Sequence, residues 1–162
     1  SLTEMLAGFS EYPLKYEDVE SLDGLHGEET TSTFDTGVLI RLFRQDEAVA
    51  ATIERSESGR FVISSITAAE IYFGMKRKEA RKTKELVRRF NLIHIDKPIC
   101  QRMLDIVFKH GNRLSLADAI IAATALEYGF DLFTFNRKDL IFYLECNFST
   151  LNQMLRRSGL AL

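Results

Sequence analysis

Phe34-Asp35-Thr36-Gly37-Val38-Leu39-Ile40 places an acid where an extended segment gives way to a helix. The pattern predicts a short strand ending at Asp35, with Val38–Arg44 turning into helix. Two further stretches repeat the arrangement, Ile66-Thr67-Ala68-Ala69-Glu70 and Leu116-Ala117-Asp118-Ala119-Ile120-Ile121-Ala122-Ala123. A fourth, Thr134-Phe135-Asn136-Arg137-Lys138-Asp139, closes the set.

The pattern around these stretches alternates short strands with helices. A second helix is expected over 47–58, stopped by Gly59, then a buried strand Phe61-Val62-Ile63-Ser64. Thr67 is expected to start a helix reaching about Lys76, and Glu79–Phe90 reads as a strongly basic helix. Leu92-Ile93-His94-Ile95 is a strand, and Pro98 suits the first turn of a helix that Gly111 stops after His110. Ser115–Tyr128 is a helix ended by Gly129, and residues 131–135 are the next strand. The tail suggests a small edge strand after residue 140 and a last helix near 150–157. Such alternation implies an α/β fold, a mostly parallel sheet with helices on both faces.

The chain has 162 residues, 46% hydrophobic and 27% charged, enough for one domain with its own core. No run approaches the ~18 apolar residues of a membrane span, and the opening residues lack the features of a secretory signal. Cys100 and Cys146 are expected as free thiols in a reducing cytoplasm.

Net charge is −2, an average over two unlike parts. Residues 1–31 hold eight acids and one Lys; residues 32–162 hold fifteen acids and twenty Lys or Arg. Those counts give −7 and +5. A mildly basic body fits a polyanionic substrate, and it also fits an ordinary solvated surface. In the leader, Leu2, Met5, Leu6 and Phe9 have helical spacing up to Pro13. Gly24, Gly27 and Thr30–Thr33 read as a linker. The division is an acidic leader over 1–31 and a domain over 32–162. The leader could dock apolar side chains on a surface and aim its acids at a basic groove.

In an open parallel sheet, ligands bind outside the carboxyl ends of the strands. Asp35, Glu70, Asp118 and Asp139 can converge there. Four carboxylates repel one another and raise their own pKa values. A Mg²⁺ or Mn²⁺ ion relieves that repulsion, activates water and stabilises charge on a phosphate oxygen. Thr67-x-x-Glu70 is also a capping-box pattern, with Ser115-x-x-Asp118 as its Asp analogue, so a cap explains either acid as well. Small residues flank both acids and leave room for close helix approach and for a substrate. Thr36, Thr134, Asn136 and Arg137 are candidate substrate contacts at the same edge. Thr36 also suits the helix start, Thr134 a strand interior and Asn136 a turn. His94 and His110 read as structural. The cluster Lys76-Arg77-Lys78, Arg81-Lys82, Lys84 and Arg88-Arg89 suits a solvated helix face or a grip on an RNA backbone.

These residues resemble the PIN-domain ribonucleases, and most closely the VapC-type toxins of toxin–antitoxin pairs. Asp35-Thr36-Gly37-Val38-Leu39-Ile40 looks like the opening motif, in which Asn is common at position 37. Glu70 matches the second acid and Asp118-Ala119-Ile120-Ile121-Ala122-Ala123-Thr124-Ala125 the third. Thr134-x-Asn136-x-x-Asp139-Leu140 resembles the last motif, where Phe is usual at position 140. The resemblance covers about residues 33–145. It implies a PIN-like three-layer sandwich and Mg²⁺- or Mn²⁺-dependent endonuclease cleavage of RNA. It also implies a homodimer and inhibition by a cognate antitoxin, with transfer RNA the first substrate to consider. Antitoxins of such pairs end in a helix and an acidic arm, which residues 1–31 resemble. The polar strand Thr31-Ser32-Thr33-Phe34 and Gly37 depart from the family pattern without touching the four acids. A non-catalytic binding module and a DNA-directed nuclease are the rival expectations. Four intact acids weigh against the first; small size and the lack of a helical arch weigh against the second.

Overall fold

The structure is a computed structural model and describes residues 30–54 and 58–135. Its described elements run β1 (Thr30–Phe34), α1 (Thr36–Phe43), α2 (Glu47–Glu54), β2 (Ser58–Ser64) and α3 (Ser65–Gly74). They continue with α4 (Ala80–Val87), β3 (Asn91–Ile93), α5 (Lys97–His110), α6 (Leu116–Tyr128) and β4 (Asp131–Phe133). Short 3₁₀ turns at Arg77–Glu79 and Gly111–Arg113 lead into α4 and out of α5. The expected elements in the leader and after residue 140 lie outside the described residues.

All strand pairs are parallel and the order is β3-β2-β1-β4. The chain therefore steps from β1 to β2 to β3, then crosses back to add β4 on the other side of β1. The topological switch point lies between β1 and β4, where such folds open a crevice beyond the strand ends. In register, Thr33 lies beside Val62 and Leu132, and Phe34 beside Phe133. One apolar cluster joins Phe34, Ile63 and Phe133 to residues of α1–α4. A second joins Val62, Ile93 and Leu132 to α5 and α6. The sheet is thus the middle of three layers, as a PIN-like sandwich requires. Phe34 anchors the first cluster, stacked on Phe61 and Phe133 at 5.5 and 5.4 Å and edge-on to Phe90 at 5.9 Å.

The local stops act where the sequence puts them. Gly111 and Gly129 have φ of +60° and +67°, a left-handed backbone that glycine adopts without strain. Asp96 caps α5, accepting a bond from the Ile99 N–H at 2.9 Å, with Pro98 in its first turn.

Three expectations are corrected. Thr30–Thr33 is not a linker but most of the central strand. Pairing with β2 along its length, and with β4 from Ser32 onward, holds it extended whatever the polarity of its side chains, and β-branched Thr suits that backbone. Second, α2 ends at Glu54 and β2 begins at Ser58, before Gly59 rather than after it. Third, α3 starts at Ser65 because Ser64 is its N-cap, its hydroxyl accepting from the Ile66 N–H at 3.4 Å. Thr67 is therefore an interior helix residue, and Thr67–Glu70 is not a capping box. The buried Thr67 hydroxyl donates instead to the Phe34 carbonyl at 3.5 Å, tying α3 to the end of β1.

Candidate active site

Asp35 follows the last residue of β1 and holds the N-cap position of α1. Its N–H donates to the Phe133 carbonyl at 2.9 Å, so the bonding between β1 and β4 continues one residue past Phe34. Its carboxylate accepts the Thr134 hydroxyl at 2.8 Å, across 99 residues of sequence. No regular side-chain cap forms, which leaves the carboxylate turned to the strand edge. Burial pushes this carboxyl above its ordinary range. The Thr134 hydroxyl opposes that rise, the nearby charge of Asp118 adds to it, and the Gly37 and Thr36 N–H groups pull it back.

Asp118 reaches this point from α6. The Ser115 hydroxyl accepts the Asp118 N–H at 3.0 Å, capping the helix and setting Asp118 in its first turn. Ala119, Ala122, Ala123 and Ala125 of α6 are fully buried. Their small side chains bring the helix close under the sheet. Glu70 arrives from the middle of α3 and its carboxylate accepts the Thr36 hydroxyl. Each of these two hydroxyls therefore serves an acid from a different element. A Cβ on Gly37 would meet no atom within 4 Å, so the glycine there answers no steric demand. Asn136, Arg137 and Asp139 lie outside the described residues.

Among the described residues, no group of three or more His, Cys, Asp or Glu side chains gathers closely enough to hold a metal ion. The donor chemistry nevertheless fits a hard divalent cation, since every side-chain donor at this edge is an oxygen. Asp35 meets both conditions that such a cation relieves, burial and a like charge beside it.

The sequence reading passed over Arg41. Its guanidinium bonds Asp46 at 2.6 and 2.8 Å and lies over the Phe135 ring, 4.6 Å from its centroid. Arg41 thus secures the residue directly after Thr134. Nothing local in the sequence marks a pairing between α1 and a strand ninety residues away. Residues 76–89 carry eight Lys or Arg, all exposed, against Glu79 and Glu85. Cys100 is a free thiol. No described helix is long and apolar enough to cross a membrane.

A parallel sheet with carboxylates brought to its switch point is the layout of an acid-site α/β nuclease. A family model for the PIN domain matches residues 33–142, and the chain belongs to that family, as a nuclease toxin of the VapC type. A toxin–antitoxin complex from Klebsiella pneumoniae contains a chain 33% identical, with 67% of this chain and 89% of that one covered at a TM-score of 0.60. VapBC-1 from nontypeable Haemophilus influenzae is similar at 23% identity, covering 75% and 98% with a TM-score of 0.63. VapBC2 from Rickettsia felis, bound to a DNA fragment from its promoter, is 16% identical, covering 74% and 98% with a TM-score of 0.64. The last two likenesses speak for the fold. Comparison with curated protein sequences gives no match.

Proposed function

We propose that this toxin is a Mg²⁺- or Mn²⁺-dependent endoribonuclease that arrests translation, with transfer RNA its first candidate substrate, and that a cognate antitoxin restrains it. The observation that carries this reading is the half-buried Asp35 carboxyl, bonded by Thr134 and set beside the charge of Asp118 at the switch point. Asp35, Glu70, Asp118 and Asp139 would hold the ion. When bound, the ion supplies compensating charge, a more acidic water and stabilisation of negative charge on a phosphate oxygen.

The remaining work falls to the chain. The Thr134 hydroxyl opposes the rise in the Asp35 pKa and fixes the orientation of that carboxylate. The Thr36 hydroxyl bonds Glu70 and orients it. Asn136 and Arg137 contact the substrate backbone next to Asp139. The basic stretch 76–89 draws the polyanion towards Glu70. The same reading includes a homodimer acting in the cytoplasm, and an acidic leader that precedes the catalytic domain.

The test uses the full chain and its Asp118→Asn variant on RNA and DNA oligonucleotides, with Mg²⁺ or with EDTA. RNA cleavage that falls about a thousandfold in the variant and in EDTA is expected, since an ion-assembled acid site contributes several kcal/mol. Equal cleavage of DNA would point to the DNA nuclease, and tight RNA binding without cleavage to a binding module. A folded Asp118→Asn chain of full activity would overturn the assignment.

A further inference from the structure

Phe73 is 96% exposed and stands three residues after Glu70 on α3. Residues three apart on a helix are neighbours, with Cβ atoms about 5–6 Å apart. An aromatic ring almost wholly open to solvent thus lies beside a candidate acid. Just beyond it the helix ends, and Met75 and Lys76 are extended, with ψ of 148° and 144°. Lys76, Arg77 and Lys78 follow directly, and five more exposed Lys or Arg lie along 81–89. Tyr72, 37% exposed, adds a second, partly open ring.

The surroundings of the ring decide what fits it. Phe108 is 92% exposed as well, but one turn back on α5 stands Leu104, 62% exposed. That pair is an apolar stripe and suits an apolar partner. Phe73 stands among cations instead. A protein anchor needs an apolar surround that excludes water, whereas a nucleic-acid base needs one open ring face and neutralised phosphates. An unpaired nucleotide offers both a π face and a negative charge. Inside a duplex the neighbouring bases already cover that face.

We propose that Phe73 is a stacking platform for an unpaired base of the RNA, next to the phosphate that Glu70 serves, and that it makes the site select single-stranded over duplex RNA. Lys76, Arg77 and Lys78 neutralise the phosphates that flank the stacked base. The placing beside the bond to be cut rests on the endoribonuclease reading; the stacking itself does not.

Tryptophan fluorescence tests this, because the chain has no Trp. Phe73→Trp sets a single reporter at the platform. The full-length variant is titrated in EDTA, which keeps bound RNA intact. The probes are an RNA strand of about 12 nucleotides and the same strand annealed to its complement. The single strand is expected to quench the reporter and the duplex to leave it unchanged. By fluorescence anisotropy of labelled single strand, Phe73→Leu is expected to bind about tenfold more weakly than wild type, and Phe73→Trp at least as tightly. Unchanged Trp emission on adding the single strand would overturn the proposal. So would equal quenching by the duplex. Wild-type affinity in Phe73→Leu would overturn it too, and would assign the ring to a protein partner. Quenching in EDTA with no cleavage of the strand in Mg²⁺ leaves the platform standing and removes the endoribonuclease reading instead.

Discussion

Thr134→Val removes one hydroxyl from the candidate site. Thr134 is 4% exposed, and valine fills nearly the same volume. The 2.8 Å bond to the Asp35 carboxylate is lost with the hydroxyl. Above the pH at which that carboxylate ionises, a lost bond to a charged group costs about 1.5–3 kcal/mol. In an Asp35→Asn background the same bond joins neutral partners, and its loss costs only about 0.5–1.5 kcal/mol. The double-mutant cycle should therefore show a coupling of about 1–1.5 kcal/mol. Urea unfolding followed by circular dichroism reads this directly. With a slope of about 2 kcal/mol per M, Thr134→Val should lower the midpoint by about 0.75–1.5 M. Thr33→Val is the matched contrast. The Thr33 hydroxyl is fully buried and has no hydrogen-bond partner among the described residues. Removing it should stabilise the protein by about 1 kcal/mol, because an unsatisfied buried hydroxyl is itself a cost. Equal cost of Thr134→Val in both backgrounds would refute the reasoning about charge. A Thr33→Val chain destabilised as much as Thr134→Val would refute the reasoning about partners.

Two further outcomes are expected. Burial, with the charge of Asp118, holds the Asp35 carboxyl above its unfolded value, so the folded state binds this proton more tightly. Its contribution to stability is full below the unfolded value and is lost as pH rises through the folded one. Asp35→Asn cannot ionise and its amide oxygen can still accept from Thr134. It should melt a few degrees above the wild-type chain near neutral pH, with the gap closing towards about pH 3. A wild-type chain more stable than the variant at neutral pH would contradict this. Ala122→Leu forces a larger side chain into α6 where Ala122 is fully buried, and should cost about 1–3 kcal/mol, read by the same urea titration. An unchanged midpoint would mean that close approach of α6 to the sheet is not required.

The sequence alone was enough to show an α/β chain with an acid, Asp35, where the first strand gives way to a helix. It also placed the helix stops at Gly111 and Gly129 and the cap at Ser115. Those signals are local: a left-handed residue, a hydroxyl three residues ahead of an N–H, an apolar period of four or two. Where two readings shared one local pattern, neighbours decided. Thr67-x-x-Glu70 has capping-box spacing, yet the length of β2 moves the helix start to Ser65 and makes the two residues interior. Thr30–Thr33 is polar and reads as a linker, yet it forms most of an inner strand, paired with β2 and, from Ser32, with β4.

The site shows the same division. Asp35 and Asp118 stood out in the sequence as carboxylates at helix starts, whereas Glu70, expected in a first turn, lies in the middle of α3. Their partners did not stand out. Thr134 meets Asp35 across 99 residues and Thr36 meets Glu70 across 34. Both pairings follow from β4 crossing back beside β1, and from α3 being tied to the end of β1 through Thr67. Local chemistry is written in adjacent side chains and survives reading one residue at a time. The order of strands is set by which faces bury together, and only the folded sheet decides which hydroxyl steadies which acid.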